Sequence, residues 1–139
     1  MKKNGFTLIE LMAVIVIIGI IAVITVPVIK DSLDDAKLNT AKDSAYGYKK
    51  AVDKYYFDKA MNNLNGNLNG VYTINSSGNL VKSGIDPIVI DVSGKKPNAG
   101  SLTINENEVV SGCIEIGKYS VSIVNGEIST AIKGHCTDF

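Results

Sequence analysis

The sequence is poor in the residues that most enzymes and metal sites need. Among its 139 residues there are two cysteines and a single histidine, His135. A Ser-His-Asp or Cys-His arrangement could therefore use only this residue of the C-terminal tail. His135, Cys136 and Asp138 crowd three candidate metal ligands into four consecutive positions, and no glycine-rich loop precedes a helix to hold phosphate. The sequence predicts no enzyme, no metal site and no cofactor.

An excess of positive charge is also lacking. The 14 basic residues, all of them lysine, are balanced by 14 acidic residues, so the formal net charge is zero. This balance does not favour nucleic acid as the main partner, and we expect Lys95 and Lys96 to be solvated loop residues. Glu106 and Glu108, with their neighbouring asparagines, resemble a solvated turn more than a calcium loop. No specific nucleic acid partner is predicted.

What the sequence does contain is a long apolar run from Leu11 to Ile29. Between Phe6 and Ile29 the one charged side chain is Glu10. As a helix, the run would be roughly 28 Å long, which is close to the bilayer hydrocarbon thickness of about 30 Å. A carboxylate inside such a segment costs on the order of 2–3 kcal/mol to insert at mid-membrane. We therefore expect Glu10 to have a function.

Three interpretations of this N-terminus compete. A secretory signal peptide would use Lys2 and Lys3 as its positive region, but it needs a small-residue cleavage site, which residues 24–29 do not provide. A plain signal anchor leaves Glu10 unexplained. The third interpretation is cleavage before the apolar run, so that the hydrophobic helix stays on the mature protein. The lysines before the run predict that the C-terminal part lies outside the cytoplasm.

A short basic leader, a glycine, an aromatic residue and an acid stand directly before the apolar run. The leader is residues 1–5 and ends at Gly5; the sequence continues Phe6-Thr7-Leu8-Ile9-Glu10. This pattern resembles the class III signal of type IV pilins and pseudopilins. The resemblance implies that a membrane peptidase cuts between Gly5 and Phe6, and that the same enzyme then N-methylates Phe6.

The spacing of Phe6 and Glu10 is compatible with a charge pair. Cleavage would leave a positive α-amino group on Phe6, and Glu10 lies one helical turn further along the same face. Two opposite charges buried together relieve each other, whereas either alone is strongly penalised. The spacing leaves open whether the pair forms within one chain or between two. The resemblance implies a pair between neighbouring subunits, which would set the axial register of a filament.

The hydrophobic helix, residues 6–29, is expected to continue as an amphipathic helix over residues 30–61. Pro27 removes a hydrogen-bond donor and kinks a helix, and Gly19 weakens it by roughly 1 kcal/mol. The resemblance identifies both with the helix-weakening residues of many type IV pilins. After them, one apolar stripe at three- and four-residue steps should pack on the chain's own sheet. The stripe consists of Leu38, Ala41, Ala45, Tyr48, Val52 and Tyr55.

Two aromatic residues lie on the opposite face of the amphipathic helix. Tyr46 and Phe57 are eleven residues apart and therefore share a face. Because aromatic residues are enriched in interface cores, they could contact neighbouring helices in a filament. The alternative is that they are ordinary surface aromatics, which are common.

The remainder of the chain predicts an antiparallel sheet. Residues 62–70 form an Asn/Gly-rich connector suited to turns, and residues 71–139 form a head domain with a C-terminal loop. Short strands joined by turns favour an antiparallel meander, and Asn125-Gly126 demands a type I′ hairpin turn. The predicted strands are Val71–Ile74, Leu80–Val81, Ile88–Val92, Leu102–Ile104, Val109–Ile116, Tyr119–Val124 and Glu127–Ile132.

Cys113 and Cys136 enclose the last predicted hairpin. Outside the cytoplasm disulfides persist, and a bridge here would tie the C-terminal tail to the strand that holds Cys113. Closing this loop is worth roughly 3 kcal/mol in the chain-entropy model. The alternative is a pair of reduced, buried thiols. Many pilins have a similar C-terminal disulfide loop, so the resemblance favours the bridge.

The predicted fold is α+β, with a long N-terminal helix packed on a C-terminal antiparallel sheet, as in pilins. The resemblance implies a structural subunit of a type IV pilus, stored in the cytoplasmic membrane and polymerised into a surface filament for adhesion, motility or DNA uptake. Its implied partners are other copies of the chain, the prepilin peptidase and methyltransferase, an assembly platform with its ATPase, and membrane lipid before assembly. The alternatives are a pseudopilin of a type II secretion or competence system, and a membrane-anchored binding module or adhesin that does not polymerise.

Overall fold

The computed structural model describes Lys2, residues 4–62 and residues 68–136. The chain forms two compact units, Met1–Ala36 and Lys37–Phe139. In the described residues, one helix is followed by eight strands, which confirms the predicted α+β fold. The elements are α1 (Leu8–Met61), β1 (Gly70–Ile74), β2 (Leu80–Lys82), β3 (Ile85–Ile88), β4 (Ala99–Asn105), β5 (Glu108–Ile116), β6 (Tyr119–Val124), β7 (Glu127–Ile128) and β8 (Ile132–Lys133).

The N-terminal unit contains the apolar part of α1. The backbone remains helical through both Gly19 and Pro27. The hydroxyl of Thr25 donates to the carbonyl oxygen of Ile21 at 2.9 Å, so this polar group is satisfied within the helix. The helix is long and apolar enough to cross a membrane, by length and composition.

In the C-terminal unit, one stripe of α1 packs on the sheet. Ala41, Ala45, Tyr48 and Val52 are buried, as the sequence predicts. Leu38 and Tyr55 are partly buried and pack against the core, and a further four-residue step extends the stripe beyond the prediction to Tyr56, which is fully buried. The ring of Tyr56 meets that of Tyr72 edge-on at 5.7 Å, whereas Tyr55 is only half-buried beside it. The core on the sheet side includes Tyr72, Ile74, Leu80, Leu102, Ile104, Ile114, Ile116, Val121 and Ile123.

The sheet is antiparallel throughout, but it is not the simple meander that the sequence predicts. Its strand order is β3-β2-β1-β4-β5-β6-β7, and β8 also pairs with β6. The chain therefore leaves edge strand β3 and returns over residues 89–98 to place β4 beside β1. This pairing aligns Tyr72 with Leu102, so that both side chains are buried against the helix.

Most predicted strands differ from the structure only by a few residues at their ends, but two differ in position or continuity. The sequence predicts a strand over Ile88–Val92, but the strand is β3, which ends at Ile88. Pro87 is tolerated there because β3 is an edge strand. The predicted strand Glu127–Ile132 is divided into β7 and β8. Between them Ser129 turns its hydroxyl to within 2.7 Å of the Ser122 hydroxyl.

The predicted hairpin turn at Asn125-Gly126 is confirmed. Both residues have positive φ, 52° and 78°, and Val124 pairs with Glu127 across the turn. Glu106 and Asn107 form a second turn with positive φ, 51° and 69°, between β4 and β5. Of the predicted Asn/Gly-rich connector, residues 63–67 lie outside the described residues.

The C-terminal tail is fixed to the face of β5 that points away from the helix. Cys113 and Cys136 form a disulfide with a Cα–Cα distance of 5.7 Å, as the sequence predicts. Glu115, two residues after Cys113 on the same strand face, is buried. One of its carboxylate oxygens accepts a hydrogen bond from the backbone N–H of Cys136 at 2.6 Å, and the other lies 3.3 Å from Nδ1 of His135. The Cys113–Cys136 disulfide and the Glu115 carboxylate therefore both attach the tail to β5.

Candidate functional site

The candidate site is the start of α1, where Glu10 interrupts an apolar surface. Thr7 stands immediately before the first helical residue, and its carbonyl oxygen accepts the first helical hydrogen bond, from Leu11 at 3.2 Å. Thr7 Oγ1 also accepts a hydrogen bond from the backbone N–H of Glu10 at 3.3 Å. In return, Glu10 Oε2 accepts hydrogen bonds from the Thr7 backbone N–H at 2.9 Å and from the Thr7 hydroxyl at 3.0 Å. This reciprocal arrangement is a capping box.

Thr7 is a site residue that the sequence analysis missed. The capping role of Thr7 has a sequence signal in Thr7-Leu8-Ile9-Glu10. A hydroxyl residue is followed three positions later by an acid, directly before an apolar run. Both hydrogen bonds to the carboxylate use Oε2. In the described part of the chain no protein group donates to Oε1, so this oxygen is open to a further donor.

Gly5 and Phe6 lie in the non-helical segment before α1. Phe6 is 92% exposed, and a side-chain carbon at Gly5 would have open space around it. The peptide bond that joins the two residues is therefore accessible in this unit. Gly19, inside the helix, likewise has no neighbouring atoms where a side chain would begin.

The surface around Glu10 is apolar over a long stretch. Every side chain from Phe6 to Ile29 is exposed in the described unit. Full burial of one large aliphatic side chain is worth about 1.5–3 kcal/mol, so such a surface favours contact with lipid or with other apolar helices. In either environment the carboxylate of Glu10 would need a cationic partner, because an unpaired buried charge is strongly unfavourable.

The aromatic residues Tyr46 and Phe57 are both exposed in the C-terminal unit. Tyr46 is 57% and Phe57 59% exposed, and helix geometry places both nearly opposite buried Tyr48. They are about 16 Å apart along the helix axis, so they form two contacts rather than one cluster. Tyr46 borders a groove with Ile128, and Phe57 borders another with the Glu106–Glu108 turn.

Among the described residues, no three His, Cys, Asp or Glu side chains lie close enough to hold a metal ion. Cys136 is bonded to Cys113, and His135 faces Glu115. The third candidate ligand of the tail, Asp138, lies outside the described residues.

Comparison with known proteins bears directly on this site. Residues 1–26 match the family described as the prokaryotic N-terminal methylation motif. In this segment the chain is similar to type IV pilins and pseudopilins. This match contains Gly5, Phe6 and Glu10, and it ends just before Pro27. The long helix followed by an antiparallel sheet has the architecture of the pilin fold.

Three relatives show how far the similarity extends. The chain is 48% identical over 59 residues to the fimbrial protein EcpC of Eikenella corrodens, covering 42% of this chain and 39% of that protein. It is 42% identical over 57 residues to type II secretion system core protein G of Pseudomonas aeruginosa, covering 41% of this chain and 40% of that protein. A fimbrial protein of Neisseria meningitidis serogroup B is 34% identical over 111 residues, covering 79% of this chain and 62% of that protein.

The chain therefore spans less than two thirds of the length of each of these relatives. In the first two the match is little longer than α1, whereas in the third it extends into the sheet. No solved structure gives a significant match.

Proposed function

We propose that this chain is a structural subunit of a type IV pilus. Residues 1–5 are removed by cleavage between Gly5 and Phe6. Residues 6–29 hold the subunit in the cytoplasmic membrane and later form the filament core. Residues 30–61 continue the helix, and residues 71–139 form the outer surface of the filament. The fimbrial proteins among the relatives support this proposal.

The observation that carries the proposal is the carboxylate of Glu10 within an exposed apolar surface. After cleavage, the amino group of Phe6 is the nearest cation in the sequence. In a filament the Glu10 carboxylate of one subunit pairs with the Phe6 amino group of its neighbour, through the oxygen that the capping box leaves open. Both charges are then neutralised among apolar side chains. This pairing is possible in one register of the two helices, and any other register leaves the charges unpaired.

The exposed aromatics supply a second set of contacts. Tyr46 and Phe57 remain more than half exposed where α1 borders the sheet. Packed against the helices of neighbouring subunits, they would bury large apolar surfaces near the filament core.

The proposed partners are other copies of the chain, membrane lipid before assembly, and an assembly platform with an ATPase. A further partner is the peptidase that cleaves the bond between Gly5 and Phe6 and then methylates Phe6. The force for extraction from the membrane comes from that ATPase. The subunit itself has a structural function and catalyses no reaction. It lies first in the cytoplasmic membrane, with residues 37–139 outside the cytoplasm, and then in a pilus on the cell surface.

A second candidate function is that of a pseudopilin in a type II secretion or competence system. The observation that favours it is the 42% identity to a type II secretion system core protein. A pseudopilin would use the same cleavage and the same Glu10 pair, but it would build a short membrane-based fibre. The location of the assembled material distinguishes the two functions.

The test separates the charge of Glu10 from its capping role. Glu10→Gln retains an oxygen that accepts from Thr7 but removes the charge, and Glu10→Ala removes both. We expect both variants to be cleaved and inserted into the membrane, and both to be depleted from sheared surface filaments. Thr7→Ala is the matched control, because it removes the hydroxyl of the cap and keeps the charge; it should assemble in near-normal amounts.

The readout is the amount of subunit in sheared filaments relative to the amount of cleaved subunit in membranes. Normal assembly of Glu10→Gln would show that capping, and not charge pairing, is the function of Glu10. Normal assembly of both Glu10 variants would favour a membrane-anchored binding module or adhesin, which has no need of the pair.

A further inference from the structure

The C-terminal unit has a groove whose rim is basic and whose floor is apolar. Lys37 of α1, Lys95 of the loop before β4 and Lys118 of the β5–β6 turn line this groove, which we call the basic groove. Ile116 and Tyr119 contribute apolar surface between the lysines. The groove therefore combines three cations with a place for an apolar side chain.

Within the part of the chain that the structure describes, the lysines of the basic groove have no acidic partner. Lys37, Lys95 and Lys118 are all exposed. In the described residues, the side-chain ion pairs are Lys49 with Asp53 and His135 with Glu115, so no carboxylate lies within 4 Å of these three lysines. The Lys95 ammonium group lies against Gly117, next to Lys118 in the same turn. Like charges held together in this way attract an anionic partner.

One segment of the same chain has the complementary character. Asp31, Asp34 and Asp35 lie within little more than one turn of α1, and Leu33 between them is 53% exposed. None of the three carboxylates forms an ion pair with a described residue. We call residues 31–35 the acidic turn. Its carboxylates are opposite in charge to the lysine rim of the basic groove, and the side chain of Leu33 is apolar like the floor of the groove.

We propose that the basic groove of one subunit binds the acidic turn of the neighbouring subunit. This inference rests on the proposed filament. The Glu10–Phe6 pair sets two parallel helices four residues out of register, which is about 6 Å. The same offset places residues 31–35 of one helix beside residues 35–39 of its neighbour, where Lys37 begins the groove. One register therefore forms both contacts.

Charge reversal tests the contact in the full chain. Lys95→Glu and Lys118→Glu should each lower the amount of subunit in sheared filaments about tenfold or more, because like charges across an interface are strongly unfavourable. Lys96→Glu is the matched control. It changes the net charge equally at an adjacent exposed position, but the Lys96 side chain lies against Gly78 and does not line the groove. It should assemble like the unaltered chain.

Compensating substitutions identify the occupant of the groove. Adding Asp34→Lys and Asp35→Lys to the Lys95→Glu and Lys118→Glu chain should restore assembly to within about threefold of the unaltered chain, since the attraction is re-formed with reversed signs. Loss of assembly without restoration would overturn the proposal, because the groove would then bind another anion such as nucleic acid or a lipid surface.

Cross-linking gives a direct readout. A carbodiimide couples a lysine to a carboxylate that it touches, so filaments made from a mixture of ¹⁴N and ¹⁵N subunits should yield mixed-isotope peptides that join Asp34 or Asp35 to Lys95 or Lys118. If the unaltered chain assembles and Lys95→Glu enters filaments in the same amount as Lys96→Glu, the proposed contact is wrong, whereas the proposed filament function is retained. If the unaltered chain enters no filament, the proposed function itself fails.

Discussion

At the start of α1, the side chain of Glu10 caps the helix and also carries an isolated charge. Glu10 closes the helix end through Thr7, which satisfies backbone groups that an apolar environment would leave unpaired. It also remains the one charge on an apolar surface, with one oxygen open to a neighbour. The isolated charge of Glu10 is visible in the sequence, and from it we predict a function for this residue. The capping box also has a local sequence signal, because Thr7 stands three residues before Glu10.

Tyr48 shows what a sequence pattern does not reveal about a core residue. The helical stripe predicts that Tyr48 is buried, but not that its hydroxyl donates to the carbonyl oxygen of Gly78 at 2.9 Å. Gly78 lies thirty residues away in the chain, in a turn whose position depends on the whole sheet. Burial raises the pKa of Tyr48 and that of Tyr56.

We predict that Tyr48→Phe lowers the free energy of unfolding by about 1 kcal/mol at neutral pH, because a buried carbonyl loses its donor. Tyr56→Phe should have a smaller effect, since the Tyr56 hydroxyl has no hydrogen-bond partner among the described residues. Thermal unfolding of the full chain in detergent, followed by near-UV circular dichroism, measures both. Equal losses in the two variants would contradict the assigned hydrogen bond.

The raised tyrosine pKa values also predict an alkaline limit to stability. The folded state favours the neutral phenols of Tyr48 and Tyr56. Their contribution to the free energy of unfolding is therefore fully present below the unfolded pKa of about 10. It is lost as the pH rises from that value toward the raised pKa of the folded state. The free energy of unfolding should therefore fall between about pH 10 and 12, and Tyr48→Phe with Tyr56→Phe should reduce this fall. An unchanged pH dependence in the double variant would contradict the role of these two residues.

At the scale of elements, local signals predicted most of the helix and the strands. The α1 stripe, the Asn125-Gly126 hairpin and the extent of β6 all follow from patterns within a few residues. The pairing of β1 with β4 was not predictable in this way, because it joins segments separated by two other strands. The extension of the stripe to Tyr56 has the same origin, since Tyr72 of β1 provides the contact for Tyr56.

The β4–β5 pairing depends on a close backbone approach at Gly112. Gly112 has φ +147°, and a Cβ atom there would lie 2.2 Å from the carbonyl oxygen of Ser101. We predict that Gly112→Ala lowers the free energy of unfolding by about 3 kcal/mol or more, because backbone must move to relieve the clash. Gly47→Ala, in open space on α1, should instead stabilise the helix by up to about 1 kcal/mol. Denaturant titration of both variants in detergent checks the contrast.

The disulfide and Glu115 together fix the C-terminal tail. We predict that replacing Cys113 and Cys136 by alanine lowers the free energy of unfolding by roughly 3 kcal/mol, the chain-entropy value for this loop length. The same variant should be insensitive to reducing agent, whereas the unaltered chain should lose comparable stability when reduced. A reducing agent that leaves the unaltered chain unaffected would contradict this contribution.

At the scale of the whole molecule, the two units differ in what they bury. Residues 37–139 contain a core of helix and sheet side chains, whereas the side chains from Phe6 to Ile29 remain exposed. The N-terminal unit therefore needs lipid or other copies of the chain to cover its apolar surface. The sequence predicted this division because the apolar run has no polar face. It did not predict the basic groove, which the fold assembles from Lys37, Lys95 and Lys118.

The most direct test of the central claim is mass spectrometry of material sheared from the surface of cells that produce the chain. We predict that the chain is abundant there, that its N-terminal peptide begins at an N-methylated Phe6, and that its intact mass corresponds to oxidised cysteines. A cleaved chain that is found only in membranes would favour the pseudopilin function. A chain that still carries Met1 to Gly5 would contradict cleavage at Gly5, and with it the Glu10–Phe6 pair on which the proposed filament depends.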